Sequence, residues 1–519
     1  MYKLVSLPSL VSEVRRVPLV YDKLWCRLAE KDLKKTDLLD LANISRSSLS
    51  KLSKNDTVTT DTLDRICEAL GCDIGDIAAH VSSLADGTTA VVSPAQVKKV
   101  FLMNSFFAGI GGFDIAFERH GFKTEFLCEI NDFCCNILEK HWPTVTLHHD
   151  ICELDINTVP QANVWCGGFP CQDISVARGS AERKGLNGSQ SGLFYRYADL
   201  ISQGSPEVVI IENVEGLLNS NGGRDFGVIL QRMSSMGYAI AWRLLNSRYF
   251  GVPQSRPRVY ICCWLNNPMK ALTTMFDHEG AFKPPEGERK DFITEAEGAK
   301  GYPKVPKTAY CLAATSGRHT GTDWSRTYVV CSDGVRRMTP KEYERLQGFP
   351  DGWTIPNGMD SNTEEIDTLR YKALGNAVSV PVVEWIASRV YANLADQTNE
   401  IFDKDQIQSF VPEFSRSKWS ETKLSDINFT DAAISFKWEK AGIVWNGNFI
   451  AGNVYPAPAD PALVSLINYV EKEKAGSRYY LTSNAAEGIL RRVESQGRKL
   501  FEPLRVALEK EKKKVKSNA

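Results

Sequence analysis

Val164-Trp165-Cys166-Gly167-Gly168-Phe169-Pro170-Cys171-Gln172 joins a short apolar run to a turn built from two glycines and a proline. The run suits a buried strand and is too short for a helix, so Cys171 is expected just past a strand's carboxyl end. Open α/β sheets bind ligands and carry out chemistry at that edge. A cysteine inside an apolar run, such as Cys262, is ordinarily a packing residue. Cys171 differs because a rigid proline turn precedes it, which builds a loop and not a packing position.

On both sides of this stretch, from about residue 99 to 395, apolar runs alternate with helical stretches, the pattern of an α/β sheet. Phe107-Ala108-Gly109-Ile110-Gly111-Gly112-Phe113 follows the first run and reads as a strand-to-helix glycine turn that lets a cofactor approach the backbone. Alone, such a turn could equally serve a dinucleotide or merely tighten the fold. Glu129 ends the next run, where a carboxylate can accept from ribose hydroxyls, and Asp150, before Ile151, can accept from an adenine amino group. Glu212-Asn213-Val214 brings a carboxyl group to the same edge. Gln254-Ser255-Arg256-Pro257-Arg258 sets Arg256 and Arg258 on one side of an extended segment.

Taken in order, these motifs resemble those of the DNA cytosine-5 methyltransferases over about residues 104–390. The resemblance implies a Rossmann-like α/β fold that uses S-adenosyl-L-methionine. It implies a donor pocket formed by Phe107, Gly109, Gly111, Glu129, Asp150, Ile151, Pro170, Leu193 and Asn376, and catalysis by Cys171, Glu212, Arg256 and Arg258. Arg336-Arg337-Met338-Thr339-Pro340, Glu344 to Pro350 and Leu374-Gly375-Asn376-Ala377-Val378 extend the match. The chain departs at Ser105, where the family commonly has Asp.

The chemistry accounts for these residue types. Carbon 5 of cytosine is a poor nucleophile until a thiolate adds at carbon 6, the role expected of Cys171. A protonated carboxyl near ring nitrogen 3 relieves the charge this creates, the role expected of Glu212, with Arg258 holding the exocyclic oxygen. A stacked cytosine must first be flipped out, which calls for an element that closes over DNA. Residues 173–192, with Arg178, Arg183 and Lys184, are expected to be that loop. Residues 265–331 turn rich in Gly, Pro, Thr and charge and are expected to form a small target-recognition insert, with Thr315, Arg318, His319, Asp323 and Arg326 as candidate base contacts.

Residues 20–80 carry apolar positions at helical spacing, with Ser45 as one expected helix cap and Thr60 or Asp61 as another. This all-α unit resembles the Cro/repressor helix-turn-helix domains, which implies that Ser45, Arg46, Ser47, Ser50, Lys51 and Lys54 face DNA. The expected organisation is a helix-turn-helix domain (1–81), a linker (82–98), the methyltransferase domain (99–395) and an accessory region (396–519) to which the sequence assigns no function.

The net charge of −1 means any DNA surface must come from local clustering of Lys and Arg. Thirteen cysteines, an odd number without metal-site spacing, imply reduced thiols in the cytosol and no bound metal. No apolar run is long enough to span a membrane. Pro8, Glu13 and Pro18 interrupt any leader-like segment, so a cytoplasmic protein is expected. Duplex DNA is the expected partner, and a cognate restriction endonuclease is a further candidate. Two alternatives stay open at this level: RNA as the methylated substrate, or a transcriptional regulator on an inactive scaffold.

Overall fold

The computed structural model describes residues 19–31, 33–80, 99–170, 193–278, 280–283, 296–297, 303–315, 323–358, 363–396, 398 and 403–513. The chain forms two compact units, Met1–Val97 and Lys98–Ala519.

In the first unit, helices Asp22–Glu30, Leu38–Leu41, Arg46–Ser53 and Thr60–Leu70 enclose a core of Tyr21, Leu24, Leu28, Leu38, Ile44, Leu52, Leu63, Ile66 and Leu70. Ser45 caps its helix, its hydroxyl accepting the Ser48 amide at 3.0 Å. The next helix is capped by Thr59, one residue earlier than expected, which leaves Asp61 to pair with Arg65. Leu41 is exposed, because the helix carrying it turns its other face, with Leu38, inward.

The second unit is built on a nine-stranded sheet. Its strands are β1 (Phe101–Phe106), β2 (Phe122–Cys128), β3 (Thr146–His148), β4 (Val164–Gly167), β5 (Val208–Val214), β6 (Tyr238–Asn246), β7 (Pro257–Leu265), β8 (Ala441–Trp445) and β9 (Asn448–Gly452), in spatial order β9-β8-β6-β7-β5-β4-β1-β2-β3. Strands β3, β2, β1, β4 and β5 run parallel, while β7 lies antiparallel between β5 and β6. The run Val208-Val209-Ile210-Ile211 is apolar at every position because helices cover both faces of β5. The strand order reverses between β1 and β4, with β2 and β3 on one side of β1 and β4 and β5 on the other, and this opens the crevice at the strands' carboxyl edge.

The boundary expected at 395/396 does not end this unit. Strands β8 and β9 form a hairpin that extends the sheet past β6, with Ala441 to Val444 paired to Arg243 through Ile240. The join is tight. The Trp242 ring lies over Gly442, where a Cβ would fall within 2.2 Å of it, and the Trp242 indole donates to the Glu439 carbonyl at 3.1 Å. Trp438 packs edge-on against Phe226 and Trp242 and donates to the Gly223 carbonyl. Gly442, Asn446, Gly447 and Gly452 weaken the strand pattern of this hairpin in the sequence. The expected linker at 82–98 lies outside the described residues.

Among the described residues, no helix is long and apolar enough to cross a membrane, and no cluster of His, Cys, Asp and Glu could hold a metal.

Candidate active site

Strands β1 to β5 bring the chemistry-bearing residues to one edge. After β1, Phe107 adopts a left-handed backbone (φ 53°), and Gly109 and Gly111 follow with φ 58° and 80°. A side chain at Gly111 would strike Trp142, whereas one at Gly109 would meet nothing within 4 Å, so a cradle opens at Gly109. The Gly109 amide donates to Glu129 Oε2 at 2.8 Å, and the Asn131 amide donates to Oε1 at 2.8 Å, fixing the carboxylate that ends β2. The Trp353 indole donates to the Ile110 carbonyl and braces the turn from behind.

Asp150 follows β3 and accepts the Cys152 amide at 2.8 Å. Beside it Ile151 is buried, and its carbonyl accepts from Arg196. Asn376 stands exposed at the end of helix Glu364–Asn376, two residues before Val378, which lies against Gly112. Ile130 was not singled out in the sequence. It is a large apolar side chain left 68% exposed next to Glu129 in the chain; nothing in its local pattern distinguishes it from a surface residue.

Ser105, where the resembled family commonly has Asp, donates its hydroxyl to Asp114 Oδ2 at 3.0 Å. Asp114 is fully buried, and burial, partly offset by the Ser105 bond, pushes its carboxyl up to about 7. The folded chain therefore holds this proton more tightly than the unfolded one, and the stability it confers is lost as pH rises from about 4 through about 7. Between about pH 5.5 and pH 8 the loss is about 2 kcal/mol. Asp114→Asn is expected to flatten that slope in denaturant titrations at the two pH values. An unchanged slope would contradict the assignment.

The turn after β4 is pinned where the described residues end. Phe169 is buried against Phe194 with ring centroids 5.3 Å apart, and Asn213 Nδ2 donates to the Phe169 carbonyl at 3.3 Å. Gly168 lets β5 come close, since a Cβ there would stand 3.4 Å from Glu212 Oε2. Pro170 is the last described residue before this gap, and Leu193 begins the helix that resumes the chain at Leu193–Gly204. Cys171, Arg178, Arg183 and Lys184 lie outside the described residues, as do Arg318 and His319.

Glu212 sits on β5, 9% exposed, with Arg258 Nε 3.1 Å from its Oε1. The two are close enough for an ion pair, but Oε1 receives no aligned hydrogen bond. Burial raises the carboxyl above its ordinary value against the opposing pull of Arg258 and then Arg256.

The structure separates the two arginines that the sequence paired. Arg256 is turned inward, donating to the carbonyls of Leu312 (3.0 Å), Gly375 (3.0 Å) and Ala377 (2.7 Å). Its guanidinium thus satisfies carbonyls at a helix C-terminus, where a cation is favoured, and is not presented to a base or phosphate. Arg258 keeps one face toward Glu212, while its Nη1 donates to the Pro257 carbonyl and its Nη2 approaches Cys311 Sγ at 3.8 Å.

Cys311, not singled out from the sequence, also lies 3.7 Å from Arg256 Nη1. Burial pushes its thiol up, but Arg258 and Arg256 outweigh it and draw the thiol below its ordinary value. Gln254 is fully buried and ties these pieces together, donating to the Leu346 carbonyl and Gln347 and accepting the Leu312 amide.

Two other expected contacts take different places. Asp323 is fully buried between Tyr328 and Arg492, so it is not a base contact. Arg326 donates to the Thr315 carbonyl at 2.9 Å. In the helical unit, Ser45, Arg46, Ser47, Ser50, Lys51 and Lys54 are all exposed on or beside helix Arg46–Ser53.

Comparison with known proteins bears on the same edge. The model of the C-5 cytosine-specific DNA methylases matches residues 101–312 and 288–392, and that of the Cro/C1-type HTH DNA-binding domain matches residues 23–83. Type II methyltransferase M2.BsuMI of Bacillus subtilis is 30% identical over 58% of this chain and 78% of its own length. Type II methyltransferase M.Bsp6I of a Bacillus species is 29% identical over 56% of this chain and 98% of its own. M.HpaII of Haemophilus parainfluenzae is 27% identical over 59% and 93%.

Proposed function

Because the chain belongs to the C-5 cytosine-specific DNA methylase family and methylates carbon 5 of cytosine in DNA, we propose that Cys171 is its nucleophile and that Glu212 and Arg258 stabilise the attacked ring. The observation that carries this reading is the buried Glu212 carboxyl paired with Arg258 beside the pinned Phe169-Pro170 turn. Addition of the Cys171 thiolate to carbon 6 pushes the ring's electron pair toward nitrogen 3. Glu212 gives a proton there, and its raised pKa makes it a donor closer to neutral pH than an ordinary carboxyl. Arg258 is oriented by Glu212, Pro257 and Cys311 to hold the exocyclic oxygen. Arg256 acts as a positioning residue that ties the base of the insert to the 375–377 turn.

S-adenosyl-L-methionine supplies an electrophilic methyl group when bound, and the open cradle at Gly109 fits it. Glu129 is placed to accept ribose hydroxyls, Asp150 to accept the adenine amino group, and Ile130 to cover the adenine face, with Phe107, Gly111, Ile151, Pro170, Leu193 and Asn376 completing the pocket. Loss of the carbon 5 proton and expulsion of Cys171 then restore the aromatic ring. The substrate is duplex DNA in the cytosol, and Arg46 and Lys51 of the helix-turn-helix unit add a second DNA contact. A paired restriction endonuclease is a candidate partner, since relatives carry the type II name.

Glu212→Gln tests the acid's role. Its kcat for labelled methyl transfer to duplex DNA should fall about 10²–10⁴-fold. Wild-type activity should decline as pH rises through the Glu212 pKa, and the variant should lose that limb. Near-wild-type kcat in the variant, or an unchanged alkaline limb, would remove Glu212 from the mechanism.

A further inference from the structure

The C-terminal helices Ser483–Ser495 and Glu502–Lys513 pack on each other, but they do not close a core alone. Their apolar faces, with Ala486, Ile489, Val493, Leu504 and Leu508, share one cluster with Tyr328, Val330 and Val335 of the hairpin Tyr328–Val330/Val335–Arg337. The first strand of that hairpin lies within the insert expected to read the target, residues 265–331. The backbone is joined too, the Leu481 amide donating to the Val335 carbonyl at 2.8 Å.

One polar contact inside this seam is unusual. Asp323, in the short helix Asp323–Ser325 at the insert's edge, has no solvent exposure, yet both carboxylate oxygens are satisfied. Tyr328 hydroxyl donates to Oδ1 at 3.0 Å, from the hairpin, and Arg492 Nε donates to Oδ2 at 2.9 Å, from the C-terminal helix. Beside it, the Arg498 guanidinium lies 4.5 Å over the Trp324 ring. Removing Arg492 would take a counter-charge from a carboxylate that has no solvent exposure, so the pair ties the Asp323–Ser325 segment to the C-terminal helix. The segment it fixes also holds Arg326, which closes on Thr315.

We propose that the C-terminal helix pair is a structural half of the target-recognition module, and that Arg492, through Asp323, is a positioning residue for DNA sequence selectivity. The proposal rests on the reading of the chain as a sequence-selective DNA methyltransferase. Arg492 acts through Asp323, its side-chain partner among the described residues. It sets the position of Trp324, Ser325 and Arg326, so its loss should be felt in DNA discrimination and not in methyl-donor binding. Charge complementarity is also local: Arg492 supplies a cation 2.9 Å from the buried Asp323 carboxylate.

The test uses the full chain. Methylated cytosines laid down by the wild type in bacterial genomic DNA define its site, and duplexes bearing that site or a single-base variant of it serve as substrates. Arg492→Met and Asp323→Asn should each raise the KM for the site, or lower the ratio of site to variant-site methylation, by about tenfold. The KM for S-adenosyl-L-methionine and kcat at saturating DNA should stay within about twofold, and Arg492→Lys should recover part of the selectivity. Thermal melting of each variant separates selectivity from unfolding. Selectivity and KM for DNA unchanged in both variants would overturn the proposal, as would parallel loss of donor binding and DNA binding, which would mark a role in the whole fold. A wild type that methylates without sequence preference would instead overturn the reading beneath it.

Discussion

Cys171→Ala is expected to lower methyl transfer to duplex DNA on the order of 10⁵-fold or more while leaving S-adenosyl-L-methionine affinity within about twofold. The loss is this large because no other group on the described edge can take its place. Cys166 is buried in β4 with its thiol held well above the ordinary range by burial. Cys262 and Cys263 are likewise buried in β7, with thiols raised by burial. Cys311 is the one described thiol drawn below its ordinary value, but its sulfur is engaged with Arg256 and Arg258. Donor affinity should survive because the cradle at Gly109 and Glu129 is held by the backbone and by Trp353, not by the Cys171 turn. Labelled-methyl incorporation and calorimetric donor titration measure the two halves. Residual transfer above about 1% would mean that another nucleophile serves.

Truncation after Ala395 is expected to abolish soluble, folded protein, although the C-terminal region reads from sequence as an accessory. The truncation removes Phe429, Trp438, Ile443, Val444, Phe449 and Ile450, all buried against the main sheet or its helices. At about 1.5–3 kcal/mol each, their burial contributes about 9–18 kcal/mol, comparable with or above the 5–15 kcal/mol net stability of a typical domain. It also bares the edge of β6, a template for aggregation, and strips Arg243 of the Tyr455 and Ala457 carbonyls it binds while 1% exposed. Expression in the soluble fraction, followed by melting of the truncated chain against the full chain, checks this. A soluble truncate with the wild-type melting temperature would return the region to accessory status.

What the sequence made legible was local. The apolar runs of β1, β4 and β5 and the glycine turn at 109–112 were readable because burial on both faces and positive φ leave narrow residue choices. The α/β class and the helical head followed from them. What stayed hidden depends on long-range partners. Arg256 looks the same in sequence whether it faces DNA or caps the turn at Gly375 and Ala377, more than a hundred residues away. Asp323 reads as a polar insert residue until Arg492 is seen to neutralise it. Cys311 gains its lowered thiol from Arg258 and Arg256, more than fifty residues earlier in the chain. The hairpin β8–β9 carries little strand signal because its glycines admit Trp242 and turn the chain, and the first of these reasons is not local.

Covalent trapping tests the central claim most directly. In a duplex whose target cytosine carries fluorine at carbon 5, methyl transfer leaves no proton there to remove, so the ring cannot regain aromaticity and the carbon 6 to sulfur bond persists. With S-adenosyl-L-methionine present, the wild type should form a denaturant-resistant protein–DNA complex whose DNA-bearing peptide contains Cys171, and Cys171→Ala should form none. No complex with the wild type, or an undiminished complex with Cys171→Ala, would contradict the account.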